Sequence, residues 1–303
     1  MLRRRRLSGT KCVARPAILV CLWALTAACS GGGAPGAVFP SAESALERLH
    51  EQQSCSVGVR AEATLDTLDP ERRVRVQTLL LTEYPASVRF DVISPFGSPL
   101  ATLTSDGERF TLLDVENNTF VEGPAKQCAV SEFLQVPIPP KVLAQLLSGD
   151  APVLKHGSGS TSIAWQDGEY QVTVLGNHQA RQTLHLRVHP DDYGKPTVSQ
   201  RLRLHKVRVT QAGVELYRAE LSNHQRRTTA VPWQDPDGIE PDVPPSGPAC
   251  DAELPAEVEF VVQVAERDVI LDFDSVEHNP PLLDRVFSQS RPRGAQLRQL
   301  NCR

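Results

Sequence analysis

The chain has 303 residues, with 32 Lys plus Arg against 36 Asp plus Glu and a formal net charge of −4. Six of the basic residues and none of the acidic ones fall within residues 1–28, so the remainder carries −10. That sign argues against a nucleic-acid binder, and no run of Lys or Arg after residue 28 marks a patch for anionic lipid.

Residues 1–28 read as a secretory signal. Arg3 to Arg6 form a basic cluster, an apolar run follows from Ala17 to Leu25, and small residues lead into Cys29. The order is that of a cleaved signal peptide, and the apolar run is shorter than the ~20 residues a spanning helix needs. Thr26-Ala27-Ala28-Cys29 resembles a bacterial lipobox. In that reading Cys29 becomes the first mature residue and carries diacylglycerol and palmitate chains; the alternative is an ordinary signal with an incidental cysteine. Residues 29–40 then form the lipidated cysteine and a Gly-, Ala- and Pro-rich leash, which behaves as flexible coil. Ser30 stands where an Asp would resemble an inner-membrane retention signal, so the outer membrane, facing the periplasm, is the expected location.

The next segment, Ala42 to Gln52, is expected to form a short amphipathic helix capped by Ser41, with Ala45, Leu46 and Leu49 on one face. From Ser56 the apolar period becomes two. Val57, Val59, Ala61 and Ala63 alternate with polar residues, as do Val88, Phe90 and Val92, and then Phe110 and Leu112 after Asp106-Gly107. The same pattern covers Tyr170 to Val174, Leu184 to Val188, Leu202 with Leu204, Val207 with Val209, Val214 with Leu216, Val258 to Val264 and Val269 to Phe273. This predicts a long antiparallel meander of ten or so strands with one apolar face. Such a sheet must coil or close. Its apolar face then lines a concave interior, although the same alternation also suits a closed sandwich core. Helical pieces are expected at Ser131 to Leu147, restarted by Pro139-Pro140 and ended by Gly149, and at Leu282 to Phe287; both are candidates to cover the opening. Gly157 to Ser160 and Pro232 to Pro255 read as loops. Residues 41–303 are expected to form a single β domain.

After Cys29 the chain keeps Cys55, Cys128, Cys250 and Cys302, with no C-x2-C spacing. An even count in an oxidising compartment predicts two disulfides. Three connectivities are open; Cys55–Cys128 with Cys250–Cys302 is favoured, the second clipping the C-terminal tail to the last β region.

Two segments then carry a family resemblance. VRFDVISPFGSPLATLTSDGERFTLLD, Val88 to Asp114, resembles the part of the outer-membrane lipoprotein receptor LolB in which a strand runs into an N-P-L-G turn and returns. VPIPPKVLAQLLSG, Val136 to Gly149, resembles that family's M-P-I-P followed by a short helix. The ending from Asp274 to Leu297 is similar to the wider superfamily that includes the LolA carrier. The resemblance implies a half-open antiparallel β-barrel with a short helical lid and an apolar cavity. It also implies the partners: a LolA-like periplasmic carrier, acylated lipoprotein clients, and a membrane reached through the lipid anchor. Val88, Phe90, Val92, Phe110 and Leu112 would line the acyl cavity, with Ile138, Leu143 and Leu146 in the lid. Pro95, Phe96 and Gly97 match the family's protruding insertion turn, where the family more often has Leu than Phe96. The bland reading of Phe96 is a hairpin-tip ring folded back on the sheet.

No enzyme, metal or cofactor is expected. His185 and His189 lie on one strand, ~13 Å apart. Asp272 and Asp274 read as an outer polar face, and Asp235 to Gly238 as a surface turn without an EF-hand register. A monomeric lipoprotein receptor is therefore the leading expectation. A lipid or lipoprotein sensor on the same fold, or a passive structural envelope lipoprotein, are the alternatives.

Overall fold

A computed structural model describes residues 33–302. Cys29 and the predicted signal lie outside the described residues. The incoming chain leads into α1 (Ala42–Gln53), whose N-terminus is closed by a reciprocal cap: Ser41 Oγ accepts the Ser44 N–H at 3.2 Å, and Ser44 Oγ accepts the Ser41 N–H at 3.3 Å. Replacing Ser41 by Ala should cost about 1 kcal/mol, as loss of an N-cap usually does. Urea denaturation checks this, and an unchanged midpoint would mean the cap carries no weight.

Six strands follow: β1 (Gly58–Leu68), β2 (Arg73–Glu83), β3 (Ser87–Ile93), β4 (Pro99–Ser105), β5 (Arg109–Asp114) and β6 (Thr119–Pro124). Two helices, α2 (Gln127–Phe133) and α3 (Pro140–Leu147), separate them from β7 (His156–Gln166), β8 (Glu169–Gly176), β9 (Ala180–Val188), β10 (Leu202–Gln211) and β11 (Val214–Ser222). The chain ends with β12 (Gln225–Thr228), β13 (Asp251–Leu254), β14 (Glu257–Val262), β15 (Arg267–His278) and β16 (Gln296–Gln299). Fourteen strands form one sheet in the order β16-β6-β5-β4-β3-β2-β1-β15-β14-β11-β10-β9-β8-β7, and β12 with β13 makes a separate ribbon. Every pair in the sheet is antiparallel except β16 with β6. The sheet is mainly β in the expected sense and does not close into a barrel, since β16 and β7 stay as its two margins.

The turns explain much of this register. Asp167-Gly168 and Ala212-Gly213 both take positive φ at two central residues, the geometry that suits two-residue hairpins to strand twist. At Asp106-Gly107 the aspartate Oδ1 accepts the N–H groups of Glu108 and Arg109. The strands bury their apolar face against α1, α2 and α3 in one contiguous core, which holds Leu49, Leu80, Phe90, Leu143, Leu186 and Phe260 among others.

Several expectations are corrected. The single helical stretch Ser131 to Leu147 is two helices: Leu134 ends the first as a turn, Gln135 takes the left-handed region and residues 136–139 are irregular, and the Pro139-Pro140 pair allows only a fresh start. Leu282 to Phe287 is a run of turns, not a helix. It follows Pro280-Pro281, and Arg285 takes a φ of 61°, too short and interrupted for helix nucleation. It also lies on the outer face of the sheet rather than over an opening, since the Val286 carbonyl accepts from Arg89 and Gln289 donates to the Thr102 carbonyl. Gly157 to Ser160 belongs to the marginal strand β7, at a register shift between His156 and Thr161. Val214 is exposed and Leu216, the extra residue of a bulge opposite Val209 and Thr210, is only half-buried against the core, so that Tyr217, Ala219 and Leu221 are the fully buried apolar residues of β11. Val264 sits exposed in the β14–β15 turn.

The favoured disulfide pairing is also corrected. Cys55 is bonded to Cys250 and Cys128 to Cys302. β16 runs parallel beside β6, which leads directly into α2, so Cys302 arrives next to Cys128. Cys55, just after α1, meets Cys250 at the start of β13 because Asn279 ties the two segments together.

The strand registers define two ends of the sheet. The turns β1–β2, β3–β4, β5–β6, β8–β9, β10–β11 and β14–β15 all lie at one end. The incoming chain docks at the other, where Gly36 N–H donates to the Tyr193 carbonyl at 2.8 Å and Phe39 packs edge-on to Tyr170.

Candidate functional site

The β3–β4 turn is a tight loop built around Ser94. Its Oγ accepts the N–H groups of Phe96 and Ser98, its carbonyl accepts Gly97 N–H, and its own N–H donates to the Ser98 carbonyl. Gly97 holds a φ of +82°, a conformation that a side chain disfavours. Pro95 fixes the approach. The result is that Phe96 stands 95% exposed, not folded back on the sheet. Its neighbours at the same end share the habit. Leu68, Val115, Leu175, Val214 and Val264, each at or beside a different turn, are exposed as well. The sequence signal was present, an apolar residue next to each turn, but strand periodicity directs attention away from turns.

The strands that carry Phe96 are firmly held. On their outer face Arg89 forms a two-pronged pair with Asp91, and Asp91 accepts from Thr102 Oγ1 at 2.6 Å. On their inner face Val88, Phe90, Phe110 and Leu112 are buried in the core, while Val92 is half-buried. Ile138, Leu143 and Leu146 are buried in the same core, and α3 packs on β2 and β3. Phe90 and Phe133 of α2 face each other with ring centroids 5.9 Å apart. The structure thus brings the predicted lining and lid residues together, in contact with one another.

An open, mainly apolar cavity of about 570 Å³ lies near the opposite end. Pro232, Trp233 and Val243 of the Pro-rich segment wall it, with Leu283 and the Arg60–Glu277 ion pair opposite. The segment expected as a plain loop is ordered by the Trp233–Val243 bridge and ends in β13.

The titratable clusters support the frame. Asp192, wholly buried, accepts from Arg201 Nε at 2.7 Å, Arg201 Nη2 at 3.0 Å, Lys195 Nζ at 2.5 Å and the Arg201 N–H at 2.9 Å. These bonds, Arg201 first, hold its carboxyl far below the ordinary range. Burial opposes the charge on Glu169, but hydrogen bonds from His185 and Arg187 outweigh it and keep its pKa lowered. His185 is therefore engaged with Glu169, while His189 Nδ1 accepts the Asp191 N–H in a separate turn. Asp272 and Asp274 lie exposed, and Asp235 accepts three backbone N–H groups in a surface turn. Burial pushes His224 down to about 4.

No known family profile matches the chain, and no curated protein matches it. Some solved structures are similar. A LolA superfamily protein from Nitrosomonas europaea aligns at 11% identity over 82% of this chain and 98% of its own, with a TM-score of 0.47. A DUF1329 family protein from Desulfovibrio piger aligns at 10% identity over 82% of this chain and 95% of its own, at 0.49. A domain from Vibrio parahaemolyticus, named for outer-membrane lipoprotein sorting, aligns at 10% identity over 81% of this chain and 97% of its own, at 0.48. Likenesses of this size carry no functional argument, and the sheet stands on its own strand pairing.

Proposed function

We propose that this chain is a lipid-anchored receptor of the outer membrane, facing the periplasm, that accepts acylated lipoproteins from a LolA-like carrier and inserts them into the bilayer. The observation that supports it is Phe96: a large apolar ring held in water by a turn whose hydrogen bonds leave it no route back to the core. Seating a Phe side chain in an apolar phase contributes ~1.5–3 kcal/mol, and each acyl methylene on a client contributes ~0.8 kcal/mol. The turn is a wedge at which such chains can leave one apolar surface for another. In this reading Cys29 carries the anchor, the face of Val88, Phe90, Val92, Phe110 and Leu112 receives acyl chains, and α3 with Ile138, Leu143 and Leu146 moves aside to admit them.

One observation favours the passive structural alternative. The apolar face is filled by helix side chains and is not open. The two readings part in a transfer assay with the full chain, as wild type and as Phe96→Glu. Each is incubated with a carrier loaded with labelled lipoprotein and then with liposomes. Both should take up the label. Delivery by the variant should fall about tenfold or more, given the ~1.5–3 kcal/mol above, with stability unchanged within about 0.5 kcal/mol because the site is exposed. Uptake without delivery by both would move the reading to a sensor. Uptake by neither would sink the receptor and leave the passive role.

A further inference from the structure

The Cys55–Cys250 disulfide abuts a buried imidazole that has nothing to do in the oxidised protein. His278, the last residue of β15, is 1% exposed, and neither Nδ1 nor Nε2 has a hydrogen-bond partner among the described residues. Buried polar atoms are usually satisfied, and leaving one unmade costs roughly 1–3 kcal/mol. The ligand atoms of Cys55, Cys250 and His278 all lie within 4.8 Å of one another.

We propose that Cys55, Cys250 and His278 form a three-ligand site for a thiophilic divalent cation of the zinc class, closed while the disulfide exists and opened by its reduction. Two thiolates and an imidazole are the soft and borderline donors that such a cation selects. The fourth position is left for water, since both cysteines are only half-buried.

The site does not depend on the S–S bond for its shape. Asn279 Nδ2 donates to the Cys55 carbonyl at 2.8 Å and to the Pro248 carbonyl at 3.1 Å, and its Oδ1 accepts the N–H groups of Val57 and Gly58. Thr229 Oγ1 accepts the Cys250 N–H at 3.1 Å, and Thr229 N–H donates to the Cys250 carbonyl at 3.0 Å. His278 is fixed by its pairing opposite Val59 in β1. All three backbones therefore remain in place when the sulfurs part, and side-chain rotation brings the sulfurs to bonding distance of one cation.

The chemistry balances with a dithiol reductant. Its two thiols give two electrons and two protons to the disulfide and become a disulfide themselves. Cys55 and Cys250 become thiols, and the cation displaces both thiol protons on binding. Oxidation reverses the sequence and expels the cation. The C-x2-C spacing sought in the sequence could not reveal this set, because the fold gathers it from three distant segments.

The test uses the full chain carrying Cys12→Ser, Cys21→Ser, Cys29→Ser, Cys128→Ser and Cys302→Ser, which leaves Cys55 and Cys250 as its only cysteines. It is reduced with a phosphine and titrated with Co²⁺ alone, then with Zn²⁺. The expected result is one Co²⁺ per chain with a thiolate-to-cobalt charge-transfer band, displaced by Zn²⁺ and absent from the oxidised protein. His278→Leu should weaken binding at least tenfold. On the unsubstituted histidine, the ring resonances of His278 should shift with Zn²⁺ by NMR, a readout that does not require the variant to fold. No charge-transfer band in reduced, folded protein would overturn the site, as would a band accompanied by unshifted His278 resonances.

Discussion

Asp192→Asn should destabilise the protein by about 3 kcal/mol, the order seen when one partner of a buried ion pair is removed. The carboxylate is wholly buried and gathers four hydrogen bonds from Arg201 and Lys195. An amide keeps the shape but leaves two cations facing a neutral group and supplies donors where acceptors are needed. The pH dependence has a fixed sign. Because the folded carboxyl titrates far below its unfolded value near 3.8, its stabilisation is fully present above that value and is lost as pH falls through the folded one. Urea denaturation from pH 7 downward should therefore show the gap between wild type and variant shrinking below pH 4. A gap that stayed constant into acid would show that charge is not the cause. The same variant should loosen the incoming chain. Asp192 adjoins Tyr193, which holds Gly36, and Gln200, which donates to the Ala37 carbonyl. Proteolysis within residues 33–41 should accelerate.

Phe90→Ala should cost about 3–5 kcal/mol, the usual range for emptying a fully buried aromatic site. Phe90 lies under α2 and α3 in the face proposed to receive acyl chains. The cavity it leaves is apolar, and cavities of that kind stay dry and accept apolar guests. A fluorescent long-chain fatty acid should therefore bind the variant more tightly than the wild type, even though the variant is less stable. A loss below about 1 kcal/mol would mean the helices seat loosely and the site collapses on itself. Loss of stability with no gain in acid binding would argue that α3 does not guard an acyl site.

The sequence exposes the strands whose apolar residues alternate without interruption. β8 and β9 show Tyr170, Val172, Val174, Leu184 and Leu186 on the buried face, as their period requires. β2 is hidden because Leu79, Leu80 and Leu81 are consecutive, and only Leu80 of the three is fully buried. β11 is legible as a strand but read on the wrong face, because Leu216 is an extra residue that bulges opposite Val209 and Thr210 of β10, a one-residue event that reverses the side chains beyond it. β16 has four exposed residues and pairs parallel with β6, so neither burial nor local pairing announces it. The disulfide pairing depended on that strand and fell with it. Phe96 was legible from Pro95 and Gly97 around it, whereas His278 was not, since its significance comes entirely from Cys55 and Cys250 meeting it in space.

If Cys29 carries the proposed lipid anchor, the place where the incoming chain docks has a mechanical consequence. Six residues lie between Cys29 and Gly36, and the seven steps span at most ~25 Å at ~3.6 Å per residue. Gly36 is fastened beside Tyr193, at the end of the sheet opposite Phe96. Strands of 7–12 residues run roughly 23–40 Å at ~3.3 Å per residue. An upright domain would therefore hold Phe96 pointing away from the leaflet that anchors it, towards whatever arrives from the periplasm. Contact with its own leaflet requires the domain to pivot until the strands lie along the membrane. Under that proposal the tether would act as a short crane arm whose length sets the permitted tilt, and inserting flexible residues between Cys29 and Gly36 would change which bilayer Phe96 meets without altering the turn that presents it.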